Sequence, residues 1–468
     1  MENQCSRVSI GNWIGKVKHL FATGLVLLSV SAHANNTQHD IDQAVSHILQ
    51  QIELPNIPAR EYQLSDYADA ESLQKDILPA LKLAIADASK QGGGKITVPA
   101  GKWFVGGPIH LQSRIELHLS EGSHLLFSGE PAHYLPVVEQ RWEGTEVFAY
   151  SPLIYANHVE DIAITGTGII DGNADSQFHA WYQQQDADIR ALRKQGFDGE
   201  PLAKRVYGKG HYLRPDLLQI LNAKRVLLEG YTALNSPFWV NHIVYTEHAT
   251  LRDLKVDSHF PNNDGVDVDS CSLVLVENNH FSTGDDSIVI KSGRDLDGRN
   301  IAKPSHSIVV RNNTMGGEDG LGLGSEMSGG IYDVYFLNNT LVGGSAAFRF
   351  KANPDRGGKV ENIYIQQATV GQYDHLFWFQ LDYPSQWGGN FKTQYNNIFF
   401  NDINAAQVDT VFFMRAPDDW PLGKVQFQQV NVENAEHIFD VKNVSDLDLR
   451  KVNIGKYQIT GQLQWLAE

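Results

Sequence analysis

A β-prone run of about one fixed length returns again and again along the chain. It first stands clear at Arg225-Val-Leu-Leu-Glu-Gly230 and returns at Ala249–Leu254, Ser272–Asn279, Ser307–Asn313 and Asp333–Asn339. It continues at Asn362–Gln367, Asn397–Asp402 and Lys424–Gln429. From Glu229 through Arg252, Glu277, Arg311, Leu337, Tyr364 and Phe400 to Phe427 the steps are 23, 25, 34, 26, 27, 36 and 27 residues, the two long ones carrying loop insertions. A unit this short cannot bury its own apolar face, so successive units must stack and share one continuous core. The reading is a parallel β-helix; a propeller blade would need about 40–45 residues per unit. Asn pairs recurring at one phase fit turns whose amides hydrogen-bond from coil to coil.

Such a stack exposes core and strand edges at its ends. Leu73–Ser89 has apolar residues at helical spacing, with Pro79 marking a kink or the true first turn, and stops before Gly92-Gly-Gly94. It is predicted to cap the N-terminal end. Residues 1–34 are set apart: Arg7, Lys16 and Lys18 precede the apolar run Leu20–Val30, and Ala32-His-Ala34 follows, the pattern of a cleaved secretory leader. The expected organisation is therefore a signal peptide (1–34), an N-terminal segment with a capping helix (35–91), and a β-helix domain (92–468) with an insertion at 173–213. That stretch breaks the rhythm with basic, helix-favouring residues after Phe178-His-Ala-Trp-Tyr182. Loops on a rigid scaffold often carry function.

The chain of 468 residues has 55 Asp+Glu against 38 Lys+Arg, a net charge of −17, which argues against nucleic acid as a partner. Removing the leader leaves a secreted or periplasmic protein with no membrane attachment. Of two cysteines only Cys271 then remains, beside Leu273–Val276, and reads as a buried small hydrophobe rather than a nucleophile.

Carboxylates concentrate in Pro261-Asn-Asn-Asp-Gly-Val-Asp-Val-Asp269 and Gly284-Asp285-Asp286. Asp264 and Asp285 are separated by close to one coil, and adjacent coils stack at about 4.8 Å, so the three acids Asp264, Asp285 and Asp286 converge. A bend at Gly284 would let both Asp285 and Asp286 reach one groove. Close carboxylates persist only if one is protonated, paired with a cation or bound to metal. Two chemistries fit: a glycosidase acid–base set, or a calcium site of the kind used by polysaccharide lyases. Asp267 and Asp269 read as Asx turns capping coils.

These motifs resemble the polygalacturonase family, glycoside hydrolase family 28, in its bacterial secreted form. The signatures appear as Asn262-Asn263-Asp264, Gly284-Asp285-Asp286 and Arg349-Phe350-Lys351, within phrases such as Ser151–Tyr155, Leu213-Arg-Pro215, Ser236–Trp239 and Gly324–Gly330. The similarity runs from about Gly92 to Gly371. It implies a right-handed parallel β-helix, no cofactor or metal, and an inverting mechanism. Asp285 would protonate the glycosidic oxygen, and Asp264 and Asp286, about 6.5–9.5 Å from the acid, would activate water. Arg349 and Lys351, on one face of their strand, would grip a uronate carboxylate. Asn262 would join the substrate contacts, and His242 matches a histidine of bacterial relatives that would face the cleft or be buried.

In one place the pattern departs. Where the family has Gly-His-Gly, this chain reads Glu318-Asp319-Gly320. Asp319 would raise the pKa of a nearby acid and repel a uronate, or bind a hydroxyl of another sugar. Trp378, Tyr383 and Trp387 could stack on sugars, Tyr383 being the best placed, whereas Phe377 and Phe379 fit an inward-facing core. The expected activity is hydrolysis of α-linked galacturonic acid in pectin or a related acidic polysaccharide by a monomer, exo-acting if the insertion closes the groove. The alternatives are a relative with shifted sugar specificity, a pectate-lyase-like enzyme, and a non-catalytic carbohydrate-binding β-helix.

Overall fold

A computed structural model describes residues 29–465; the predicted leader as far as Leu28, with Cys5, lies outside the described residues. Twenty-seven strands join one sheet in which every coil pairs in parallel with the next. Among the described residues its only antiparallel partner is the strand Tyr457–Trp465, which folds back on Val444–Ile454 and covers the end of the stack. The chain is an all-β parallel β-helix, as the repeat predicts. Inward positions are apolar coil after coil: Ile288, Leu321, Phe348, Phe377 and Phe412 are in register and buried. Phe350 and Phe379 stack with centroids 4.1 Å apart.

The recurring Asn pairs do two different jobs. Asn278, Asn312 and Asn338 adopt φ of 60°, 58° and 52°, a left-handed corner that Asn tolerates better than most residues. Each following Asn points inward. Asn279 Nδ2 donates to Asn313 Oδ1 (2.9 Å), and Asn313 Nδ2 to Asn339 Oδ1 (3.0 Å), with all three buried. Asn313→Leu should therefore cost about 1–3 kcal/mol, because it strands buried donors of Asn279. An unchanged denaturant midpoint would show that the column contributes nothing.

The repeat phase read from the sequence slips in two places. Leu337 pairs with Gln366, not Tyr364, and Tyr364 pairs with Phe399, not Phe400. The single predicted helix is two: α2 (Ala70–Lys75) and α3 (Leu78–Lys90), with Pro79 in the first turn of α3. Leu78, Leu81, Ala84, Ile85 and Ala88 of α3 are buried in the main core, at the first coil. Ahead of them α1 (Ser29–Gln51) runs through the predicted cleavage point. Its Ile41, Val45 and Ile48 cover outward apolar residues Leu275, Val309, Tyr335 and Phe399.

The insertion folds as α4 (Gln177–Ala180) and α5 (Asp186–Asp198), then the strand Val206–Tyr207. That strand joins the hairpin Val138–Trp142/Thr145–Ala149 in a small sheet. Trp142, Val147, Leu192, Tyr207, Leu213, Phe238 and Trp239 form the apolar contact that holds this assembly on the solenoid. Cys271 is buried, as expected.

Candidate active site

The site lies on the outward face of one sheet, where the strands Asn241–Val244, Val266–Asp269, Ile288–Lys291, Asp319–Leu323 and Thr340–Lys351 succeed one another. Val266 pairs with Ile288, and Ile288 with Leu321. Two residues before each stand Asp264, Asp286 and Asp319, so these three acids occupy one column in consecutive coils. Asp285 sits beside Asp286 at the turn. Gly284 is needed less for a bend than for room: a Cβ there would lie 2.5 Å from the Phe260 carbonyl oxygen of the previous coil. A Cβ at Gly322 would likewise meet Asp286 Oδ1 at 3.0 Å.

An oxygen from each of Asp264, Asp285 and Asp286 lies within 4.8 Å of one from the others. Asp264 and Asp286 are buried, while Asp285 is partly exposed. Asp285 Oδ1 accepts from the Asp286 backbone N–H (2.9 Å) and its Oδ2 from Asn262 Nδ2 (3.4 Å). Asn262 is held in turn by Arg214 Nη2 (2.6 Å). Burial and the neighbouring Asp286 push the Asp285 pKa up. Burial, Asp267 and Asp285 push Asp264 well up. Asp264 Oδ1 and Asp286 Oδ1 have no hydrogen-bond partner among the described residues.

Two ammonium groups balance the cluster. Lys351 Nζ donates to Asp286 Oδ2 (2.7 Å) and stands 3.7 Å from Asp319 Oδ2. Lys291 Nζ, which sequence reasoning missed, lies 3.5 Å from Asp264 Oδ2, 3.6 Å from Asp267 Oδ1 and 3.3 Å from Glu326 Oε2, over the Trp239 ring. The signal was a lone Lys ending the apolar strand Ile288-Val-Ile-Lys291. Glu326 is fixed by Arg294 (2.5 Å), and although burial opposes ionisation, its cations hold its pKa well below the usual range.

Arg349 and Lys351 do face one side. Arg349 Nη2 donates to Gln380 Oε1 (3.0 Å) and to the Tyr383 hydroxyl, and the guanidinium lies 3.3 Å from the Trp378 ring centroid. Arg349 is buried, yet its Nη1 has no hydrogen-bond partner among the described residues. Asp319 Oδ2 is 3.6 Å from Arg349 Nε. Burial outweighs the Lys351 and Arg349 charges and raises the Asp319 pKa to about 7, helped by Asp286. Glu318, beside it, is exposed, and burial with Asp285 raises its pKa too.

Several predicted roles are corrected. His242 does not face the cleft: it is fully buried, 2.9 Å from Asp216 Oδ2 and 3.0 Å from Gln219 Nε2. Asp267 and Asp269 form no Asx turns. They sit within a strand, and Asp269 Oδ1 accepts from Arg141 Nη1 (2.9 Å) and the Gly293 N–H (3.0 Å). The reason is common to all three: the 138–149 hairpin roofs this part of the outward face, so groups that would be solvent-facing on a bare coil become interior. Trp387 packs near Phe197 of α5 (6.1 Å), so it braces a loop against the insertion. Phe377 and Phe379 are core residues, as read.

The coil spacing, the acid cluster and the cation pair together have counterparts among known proteins. Residues 94–453 match the family described as glycosyl hydrolases family 28. A probable polygalacturonase of Vitis vinifera is 30% identical over 352 residues, covering 72% of this chain and 67% of the relative. The solved structure of a hyperthermoactive exopolygalacturonase from Thermotoga maritima superposes with a TM-score of 0.85 at 34% identity, covering 91% of this chain and 99% of that one. A polygalacturonase from Erwinia carotovora shares the fold at a TM-score of 0.61 and 19% identity, over 85% and 99% of the two chains. With its β-helix, its carboxylate column and this match over most of its length, the chain belongs to glycoside hydrolase family 28 and is a glycoside hydrolase.

Proposed function

We propose that this enzyme hydrolyses α-linked galacturonic acid in pectin-type polymers, outside the cytoplasm and as a monomer, releasing small products from a chain end. The observation that carries the reading is a partly exposed carboxyl (Asp285) beside two buried acids (Asp264, Asp286), with Lys351 2.7 Å from Asp286 and Arg349 on the same face. Asp285 protonates the leaving oxygen. Asp264 Oδ1 and Asp286 Oδ1, both without hydrogen-bond partners among the described residues, polarise the attacking water. Arg349 Nη1, buried and likewise unpartnered among the described residues, orients the uronate with Lys351, while Asn262 and Tyr383 hold Asp285 and Arg349 in place.

Inversion is the stereochemistry implied by the family; retention would require one of the neighbouring carboxylates to attack the anomeric carbon directly. Proton NMR of the first anomer released decides between them. An inverted anomer supports water attack; a retained one makes Asp264 or Asp286 a nucleophile. Exo action is supported by the insertion, which packs over the coils next to the site through Trp142, Phe238 and Trp239, and by the likeness to the exopolygalacturonase of Thermotoga maritima. Monomers or dimers should dominate the earliest products, and mid-size oligomers at the outset would sink this point.

The lyase alternative would place calcium among the three carboxylates. Here ammonium groups stand 3.5 Å from Asp264 and 2.7 Å from Asp286, supplying positive charge without a divalent ion. Activity is expected to survive a chelator and to give reducing ends with no ultraviolet-absorbing product. Loss of activity on chelation, with recovery on adding calcium, would favour the lyase. Binding without any reducing ends would favour a non-catalytic protein.

A further inference from the structure

Asp319 is the third acid of the column that contains Asp264 and Asp286, and the next coil places Ala346 opposite it. It is buried, and its nearest ionic partners are Arg349 Nε (3.6 Å) and Lys351 Nζ (3.7 Å). Those are the two groups assigned above to the substrate's carboxylate. Lys351 is already bonded to Asp286. With Asp286 and Asp319 both ionised, two cations therefore face two anions and no net positive charge is left for a uronate. With Asp319 neutral, one positive charge remains and Arg349 Nη1 has no protein acceptor.

We propose that Asp319 is a specificity-determining residue that competes with the substrate's carboxylate for Arg349 and Lys351, so that this subsite grips an ionised uronate when Asp319 carries its proton and favours a neutral, methyl-esterified uronate when it does not. The inference rests on the galacturonan reading above. The groups facing Asp319 are Asp285 and Asp286 from the preceding turn, Glu318 beside it, Arg349 and Lys351 from the next coil, and Tyr373 and His375 from the coil after that. Tyr373 has a raised pKa and His375 a lowered one, both chiefly from burial. Both are therefore uncharged near neutrality. Burial and the acids around Asp319 place its titration near pH 7.

The test compares wild type with Asp319→Asn on de-esterified and highly methyl-esterified galacturonan from pH 5.5 to 8. For wild type, KM for the de-esterified polymer should rise about tenfold across this range, the equivalent of one pKa unit of interaction, while KM for the esterified polymer stays flat. Asp319→Asn should hold KM low throughout and leave the alkaline fall of kcat in place. An unchanged KM profile in the variant, or an equal loss of kcat at every pH, overturns the proposal. Calorimetric binding of free galacturonate to wild type at both ends of the range needs neither turnover nor the variant. Tighter binding at pH 5.5 supports competition by Asp319, and equal binding refutes it. If wild type hydrolyses neither polymer, it is the galacturonan reading that falls.

Discussion

Asp285→Asn should fold like the parent and lose about 10²–10⁴-fold in kcat, the range by which a positioned general acid contributes. The amide keeps the shape of the carboxyl and can still accept from the Asp286 N–H, giving up only the long 3.4 Å contact with Asn262, but it has no acidic proton to deliver. The same assignment gives a pH profile. Burial and Asp286 raise the Asp285 pKa, so the competent, protonated form persists above the usual carboxylate range and is lost as pH rises through that raised value. The alkaline limb of kcat should be that loss. The stability consequence has the same direction: the folded state holds this proton where the unfolded chain has released it, so the contribution weakens with rising pH in that window. A variant with near-parental turnover, or an alkaline limb that survives in the residual activity of Asp285→Asn, would remove Asp285 from the role of acid.

Lys291→Met is expected to cost stability on a comparable scale, about 3–5 kcal/mol. Its ammonium is buried among Asp264, Asp267 and Glu326, and a thioether leaves these acids without their central cation. Asp267 has no hydrogen-bond partner on either oxygen among the described residues, so it depends on Lys291 most directly. Chemical denaturation measures the loss. Part of it should return at low pH, because Asp264 and Asp267, with pKa values pushed well up, take up protons when their counter-charge is gone. A variant as stable as the parent at neutral pH would show that the network has relaxed around the gap or takes in water.

What the sequence made legible follows from what repetition enforces. Coils can stack only if inward positions stay apolar, and so the runs ending at Asn279, Asn313 and Asn339 disclose the fold, its corners and its hydrogen-bonded column. The convergence of Asp264 with Asp286 follows from the same register. The phase was lost at Tyr364 and Phe400 because aromatic residues also stand on neighbouring inward and outward positions of those long strands. His242, Asp267 and Asp269 were misread for a different reason. Their burial is imposed by a hairpin more than 90 residues upstream, and nothing in their own strands encodes that cover. The helix α1 did carry a local signal, Ile41, Ala44, Val45 and Ile48 at helical spacing. That stripe is short and the rest of the helix is polar, so it does not stand out from its surroundings as a separate element.

The two ends of this stack are secured unequally. Around the coils of Asp264 and Asp285, the hairpin, α5 and α6 (Asp295–Ile301) are clasped by ion pairs such as Arg141–Asp269, Arg205–Asp297 and Arg294–Glu326. Beyond Lys351 the long strands lean mainly on one another and on a terminal hairpin, with α1 touching Phe399 and Trp387 reaching Phe197 of α5. In a linear array, where each unit is steadied by its neighbours, opening travels inward from the weaker end. Warming should therefore loosen the grip on the substrate's carboxylate, which Gln380 and Tyr383 brace, before it disturbs the proton donor. Hydrogen exchange along the last strands would record that order, with affinity fading while turnover at saturation persists.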